Sequence, residues 1–131
     1  MAIDHDIIVV KGDTARWTEF VYDSSGATVS YSGCTLYMQV RNGYYPADLV
    51  ASYTLYVPPG TVLSYPKGLT GGLSAWGTGG TLYLCIGSSQ SNDLALDRTC
   101  KYDVKLQSSV LNDITTIIKG NIQVLPEVTD I

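Results

Sequence analysis

Along residues 34–40, CTLYMQV, apolar and polar positions alternate: Cys34, Leu36, Met38 and Val40 share one face, and Thr35, Tyr37 and Gln39 the other. A period of two is the mark of a strand with one buried face. The same test turns Leu82, Leu84 and Ile86 inward in TLYLCI, and Cys100, Tyr102, Val104 and Leu106 inward in CKYDVKL. No segment sustains the 3.6-residue apolar period of an amphipathic helix, while Tyr, Thr and Val are abundant, so the reading is all-β. Turn signals at Gly12-Asp13, Asp23 to Gly26, Ser32-Gly33, Asn42-Gly43, Pro58 to Gly60, Gly68 to Gly80 and Asn112-Asp113 punctuate the chain. They leave seven expected strands, at 6–10, 14–22, 34–41, 49–57, 81–86, 101–106 and 114–124, which suit two packed sheets.

Three segments fit this pattern less simply. In 14–22 the face that carries Ala15, Trp17 and Val21 also carries Glu19. Either a bulge after Trp17 turns Phe20 inward or Glu19 lies at a sheet edge, and the bulge is the preferred expectation. Trp17 itself reads as core, being in mid-strand among alternating residues. In SNDLALDR, residues 91–98, Ser91 or Asn92 could cap a single helical turn that crosses between the sheets. Residues 57–80 hold three of the five prolines and seven of the thirteen glycines, and read as one long loop insertion.

A length of 131 residues predicts a single domain over 1–131 that buries roughly two thirds of its unfolded surface without help from metal or disulfides. The net charge of −4, with eight Lys and Arg dispersed along the chain, offers no contiguous basic stripe for phosphates or for an anionic membrane. Nucleic acid and membrane partners are therefore not expected. The amino terminus, MAIDHDIIVV, carries acids where a secretory signal would carry Lys or Arg. Cys34, Cys85 and Cys100 are odd in number and form no C-x-x-C pair, which fits free thiols in a reducing compartment.

Chemistry is sparse. The one histidine, His5 in DHD, reads as part of a solvated tail with too few neighbouring ligands for a metal. There is no G-x-S-x-G, P-loop or H-E-x-x-H, and the glycine-rich GLTGGLSAWGTGG lacks the lysine and helix of a phosphate cradle. Glu19 and Asp103 are the carboxylates that could form a hydrolytic pair, but Asp103 alternates outward between Lys101 and Lys105 as a solvated residue does. No catalytic, cofactor-binding or metal-binding residue is expected, and the chain reads as a non-enzyme. The suggestive feature is aromatic: Tyr44, Tyr45, Tyr65 and Trp76 fall in expected loops, and with Leu69 and Leu73 they form the candidate partner-contact set.

The segments VVKGDTARWTEFVYDSSGATVSYSGCTLYMQVR, TLYLCIG, KYDVKL and IIKGNIQVLPEVT resemble the immunoglobulin-like domain at the amino terminus of tailed-phage baseplate upper proteins, and related small phage virion structural proteins. The resemblance runs from about Ile7 to Thr129, with Tyr102 placed as the corner tyrosine is in many such sandwiches. It implies a Greek-key β-sandwich that serves as a tail or baseplate adaptor, or as a head decoration or cement protein. It implies other virion proteins as partners in multiple symmetric copies, a place in the virion after assembly in the host cytoplasm, and no catalytic residues. The 57–80 insertion is the departure from the family pattern. The rival reading is a carbohydrate-binding sandwich using the loop aromatics; a protein partner is favoured over a glycan because those aromatics form no planar row.

Overall fold

The computed structural model describes residues 3–22, 25–27, 29–44, 46, 48–58, 71–76, 80–108 and 113–127, with Trp76 described for its backbone alone. These residues form strands β1 (Ile3–Asp4), β2 (Ile7–Val10), β3 (Ala15–Phe20), β4 (Thr35–Arg41), β5 (Leu49–Tyr56), β6 (Gly72–Trp76), β7 (Thr81–Ile86), β8 (Cys100–Gln107) and β9 (Ile114–Leu125), and one helical turn, α1 (Ser88–Ser91). The larger sheet has the order β1-β9-β8-β4-β5, with β2 continuing β1 along β9, and the smaller has the order β3-β7-β6. β1 and β2 run parallel to β9, and every other pairing is antiparallel.

The chain changes sheet at the turn signals. After β2 the backbone N–H of Asp13 donates to the Val10 carbonyl at 2.9 Å, and Gly12 takes φ 89°, which a side chain would resist. This turn starts β3 in the smaller sheet. α1 and the residues after it carry the chain from β7 back to β8, so the crossover lies where it was expected. The helical turn itself is earlier than expected: it ends at Ser91, whose Oγ donates to the Asp13 carbonyl at 2.7 Å instead of capping a following turn.

Period-two alternation builds the core. Leu36, Met38 and Val40 of β4, Tyr102 and Val104 of β8, and Ile118 and Ile122 of β9 face Leu82, Leu84 and Ile86 of β7, all of them buried. Each such aliphatic side chain contributes about 1.5–3 kcal/mol relative to exposure. Cys100 joins this core, whereas Cys34 is half-buried just ahead of β4. None of the three cysteines is in a disulfide.

Three expectations are corrected. β3 pairs with β7 without a break from Ala15–Ile86 to Phe20–Thr81, so there is no bulge; Phe20 is 56% exposed and Glu19 only 6%. β3 ends the smaller sheet, and from that edge the Glu19 carboxylate reaches the His5 ring Nδ1. His5 is accordingly no solvated tail: its N–H donates to the Lys119 carbonyl at 2.9 Å and its own carbonyl accepts from the Tyr102 hydroxyl. The 57–80 segment is not a single loop either, because GLSAW within it is β6, with Leu73 and Ala75 buried opposite Leu84 and Leu82 of β7. Five residues flanked by glycines carry too little periodicity for this strand to stand out in sequence.

Candidate functional face on the larger sheet

The outward positions of β4, β8 and β9 line up in rows across the larger sheet. Arg41, Lys101 and Asn121 form one row, Gln39, Asp103 and Lys119 the next, and Tyr37, Lys105 and Thr116 a third. The register shifts between Val104 and Lys105 against β9, and between Val40 and Arg41 against β5. Irregularities of this kind bend strands. The outer face of this sheet is a cleft of about 1100 Å³ lined by these residues, with Tyr44 at one end and Ile114 at the other.

Side chains within the cleft hold one another. The Arg41 guanidinium donates to Gln39 Oε1 at 3.0 Å, Lys101 Nζ to Asn121 Oδ1 at 2.5 Å, and Lys105 Nζ to Thr116 Oγ1 at 2.9 Å. Tyr37 donates its hydroxyl to Gln107 Oε1 at 2.7 Å. Lys101 Nζ also stands 4.6 Å from the centroid of the Tyr44 ring, a cation–π contact. Lys119 lies 3.8 Å from Asp4 at the rim. Dispersed in sequence, Arg41, Lys101, Lys105 and Lys119 are half of the chain's eight Lys and Arg, and the fold gathers them on one face beside Asp4, Asp6 and Asp103.

No protein-family model matches the chain, and no curated protein is found to be similar to it.

Of the candidate contact residues whose side chains are described, Tyr44 and Leu73, Tyr44 is placed at this cleft, with 78% of its surface exposed. Leu73 is removed from the set: it is 8% exposed in the core, as the inward position of β6 requires. The backbone of Trp76 belongs to β6 in the smaller sheet, so it shares no sheet with Tyr44. Its side chain, and all of Tyr45, Tyr65 and Leu69, lie outside the described residues. The residues that sequence reasoning missed are Tyr37, Gln39, Arg41, Lys101, Lys105 and Asn121. Their signal was the outward half of the alternation, which by itself reads as a solvated face.

Glu19 and Asp103 do not pair. Glu19 points from β3 toward the space between the sheets, and Asp103 stands on the outer face of β8 in the other sheet. Among the described residues no three His, Cys, Asp or Glu side chains converge as a metal site would require, and no helix is long and apolar enough to cross a membrane. The strongest electrostatic perturbations are structural. Burial pushes the Tyr102 phenol up to about 12, offset in part by the neighbouring Trp17 indole, whose ring meets it edge-on at 5.4 Å. Burial also raises Tyr31, whose hydroxyl donates to the Gly80 carbonyl at 2.7 Å.

Proposed function

We propose that the chain is a non-enzymatic structural module of a tailed-bacteriophage virion, an immunoglobulin-like Greek-key sandwich serving as a connector or surface decoration. The strand order supports the topology: β3-β7-β6 packs against β9-β8-β4-β5, the first strand lies parallel on β9, and the chain crosses sheets after β2, β3, β5 and β7. The segments that carry the family resemblance fall on this framework, including KGDTARW at the first crossing and IIKGNIQVL along β9. Fold likeness alone leaves function open.

The observation that carries the connector role is β5. Among the described residues this strand ends the larger sheet; it is eight residues long, its sequence LVASYTLY has neither a charge nor a proline, and its one irregularity, at Val50, leaves Ala51 to Tyr56 regularly paired and unguarded by a bulge. Natural sheets guard long edge strands with lysine, proline or bulges unless a neighbour covers them. A connector repeated by symmetry supplies that neighbour. Ser52 and Thr54 are exposed on β5, so Ser52→Lys with Thr54→Lys adds two guard charges without touching the core. The expected result is an unchanged thermal midpoint and loss of the chain from purified particles. Undiminished incorporation of the double variant rejects the edge as the joint, and absence of the wild-type chain from particles rejects the virion role.

A further inference from the structure

Among the described residues the two sheets have four ends, and three of them are short or charged. At one end of the larger sheet, β1 is two residues with Asp4, and β2 is four residues between Asp6 and Lys11. In the smaller sheet β3 carries Arg16 and Glu19, and β6 is five residues that begin with a glycine. The fourth end is β5. The seven residues of β4 and the eight of β5 carry a single charge, Arg41, so this end of the sheet puts little electrostatic repulsion in the way of its own copy.

The side chains of β5 match the same strand turned end for end. Two copies joined edge to edge by a two-fold axis normal to the sheet run antiparallel, and residues set opposite one another then lie on the same face. Pairing with Gln39, Tyr37 and Thr35 puts Ser52, Thr54 and Tyr56 on the outer face, and pairing with Val40, Met38 and Leu36 puts Ala51, Tyr53 and Leu55 on the inner one. Val50 is the extra residue of the irregularity, so Leu49 pairs with Arg41 and joins the outer face. With the axis at Tyr53, Ser52 meets Thr54 of the second copy, Leu49 meets Tyr56, and the small Ala51 meets the larger Leu55. Leu49 and Tyr56 are 49% and 53% exposed in the single chain, large apolar side chains at opposite ends of one edge, and this axis covers each with the other. Moving the axis to Ser52 or Thr54 leaves one of them without a counterpart. Arg41 and Asp48 both lie at the Leu49 end, so the two-fold carries their copies to opposite ends of the joint.

We propose that β5 pairs with β5 of a second copy of this chain, antiparallel about a two-fold axis at Tyr53, making the two larger sheets one continuous sheet. The inference rests on the reading of β5 as the joint and names what it joins. The test is sedimentation velocity of the full chain from about 1 to 100 µM, where an association of micromolar Kd changes its populations. A concentration-dependent dimer is expected. Ser52→Lys with Thr54→Lys should weaken it at least tenfold while the dilute monomer keeps its thermal midpoint, because each outer Ser52–Thr54 pair becomes two opposed ammonium groups. In a Cys34→Ser background, chains with Ser52→Cys should form a disulfide with chains carrying Thr54→Cys on mild oxidation, and neither should link to itself. A monomer throughout the range, a dimer indifferent to the lysines, or self-linking of Ser52→Cys equal to mixed linking overturns the proposal. A chain that is monomeric alone yet enters particles through an edge the lysines block also overturns it, in favour of a different virion protein at β5, and leaves the connector reading standing. A dimer with the expected cross-link, from a chain absent from particles, supports the pairing and rejects the virion role.

Discussion

Gly120 is where the first strand is fixed to the fold, and Gly120→Ala tests how. A Cβ at this position would fall on the His5 carbonyl oxygen, and would lie 2.7 Å from the His5 carbonyl carbon and 2.9 Å from Tyr102 Cε1. None of these is the far end of a flexible chain: two are backbone and the third is a buried ring. Accommodating the methyl group requires the His5 backbone to leave β9. That movement breaks the His5 N–H bond to the Lys119 carbonyl and takes away the acceptor of the Tyr102 hydroxyl. An orphaned buried hydroxyl costs about 1–3 kcal/mol and a lost backbone bond about 1 kcal/mol, so the expected loss is about 3 kcal/mol.

The sign is as informative as the size. Within an ordinary strand, replacing Gly by Ala stabilises by about 0.5–1 kcal/mol. The assay is equilibrium urea unfolding followed by tryptophan fluorescence, where a loss of about 3 kcal/mol lowers the midpoint by about 1–3 M for a protein of this size. Tyr102→Phe keeps the ring and removes the hydroxyl, and should cost about 1 kcal/mol. A Gly120→Ala midpoint equal to or above that of the wild type would refute the placement of His5 over β9.

Leu73→Ala should destabilise the protein by about 2–5 kcal/mol in the same assay, since Leu73 is a core residue of β6; a change below about 0.5 kcal/mol would return the segment to the surface. Alkaline stability should fall once pH rises past 10.0, the ordinary phenol value, because the unfolded chain then releases the Tyr102 proton while the fold keeps it up to about 12. Absorbance at 295 nm should show Tyr102 and Tyr31 ionising only on unfolding, and full titration of every tyrosine near pH 10 in the folded state would contradict their burial. In the native protein Cys34, half-exposed, should react first with a thiol reagent, ahead of Cys85 and Cys100, whose thiols burial both covers and raises; equal rates for all three would contradict the core.

The parts of the fold that were legible in sequence are those where one face meets the core and the other meets water. CTLYMQV, TLYLCI and CKYDVKL each carry three or four apolar residues at alternate positions, and a slip of one residue would put all of them into solvent, so pattern and register constrain each other. GLSAW has two inward residues, Leu73 and Ala75, and its glycine-rich flanks look like loop, so composition outweighed periodicity. Glu19 misled for a different reason. A carboxylate on an inward face argues for a register change only if nothing can meet it, and its partner, His5, lies fourteen residues earlier in the link between β1 and β2, which pair in the other sheet. Alternation within one segment cannot report that meeting.

The candidate face on the larger sheet was illegible on different grounds. Inward positions are identified by what water excludes, but outward positions are permitted nearly any polar residue, so Tyr37, Gln39 and Arg41 on β4 and Lys101, Asp103 and Lys105 on β8 look like ordinary solvated surface. What distinguishes them is juxtaposition. Pairing β4 with β8 places Arg41 beside Lys101, and pairing β8 with β9 places Asp103 beside Lys119. The strand pattern fixes which residues point outward, and only the sheet order, β9-β8-β4, makes neighbours of cations that the chain keeps far apart. A face built this way emerges from topology, so it becomes readable once the order of strands is known and not before.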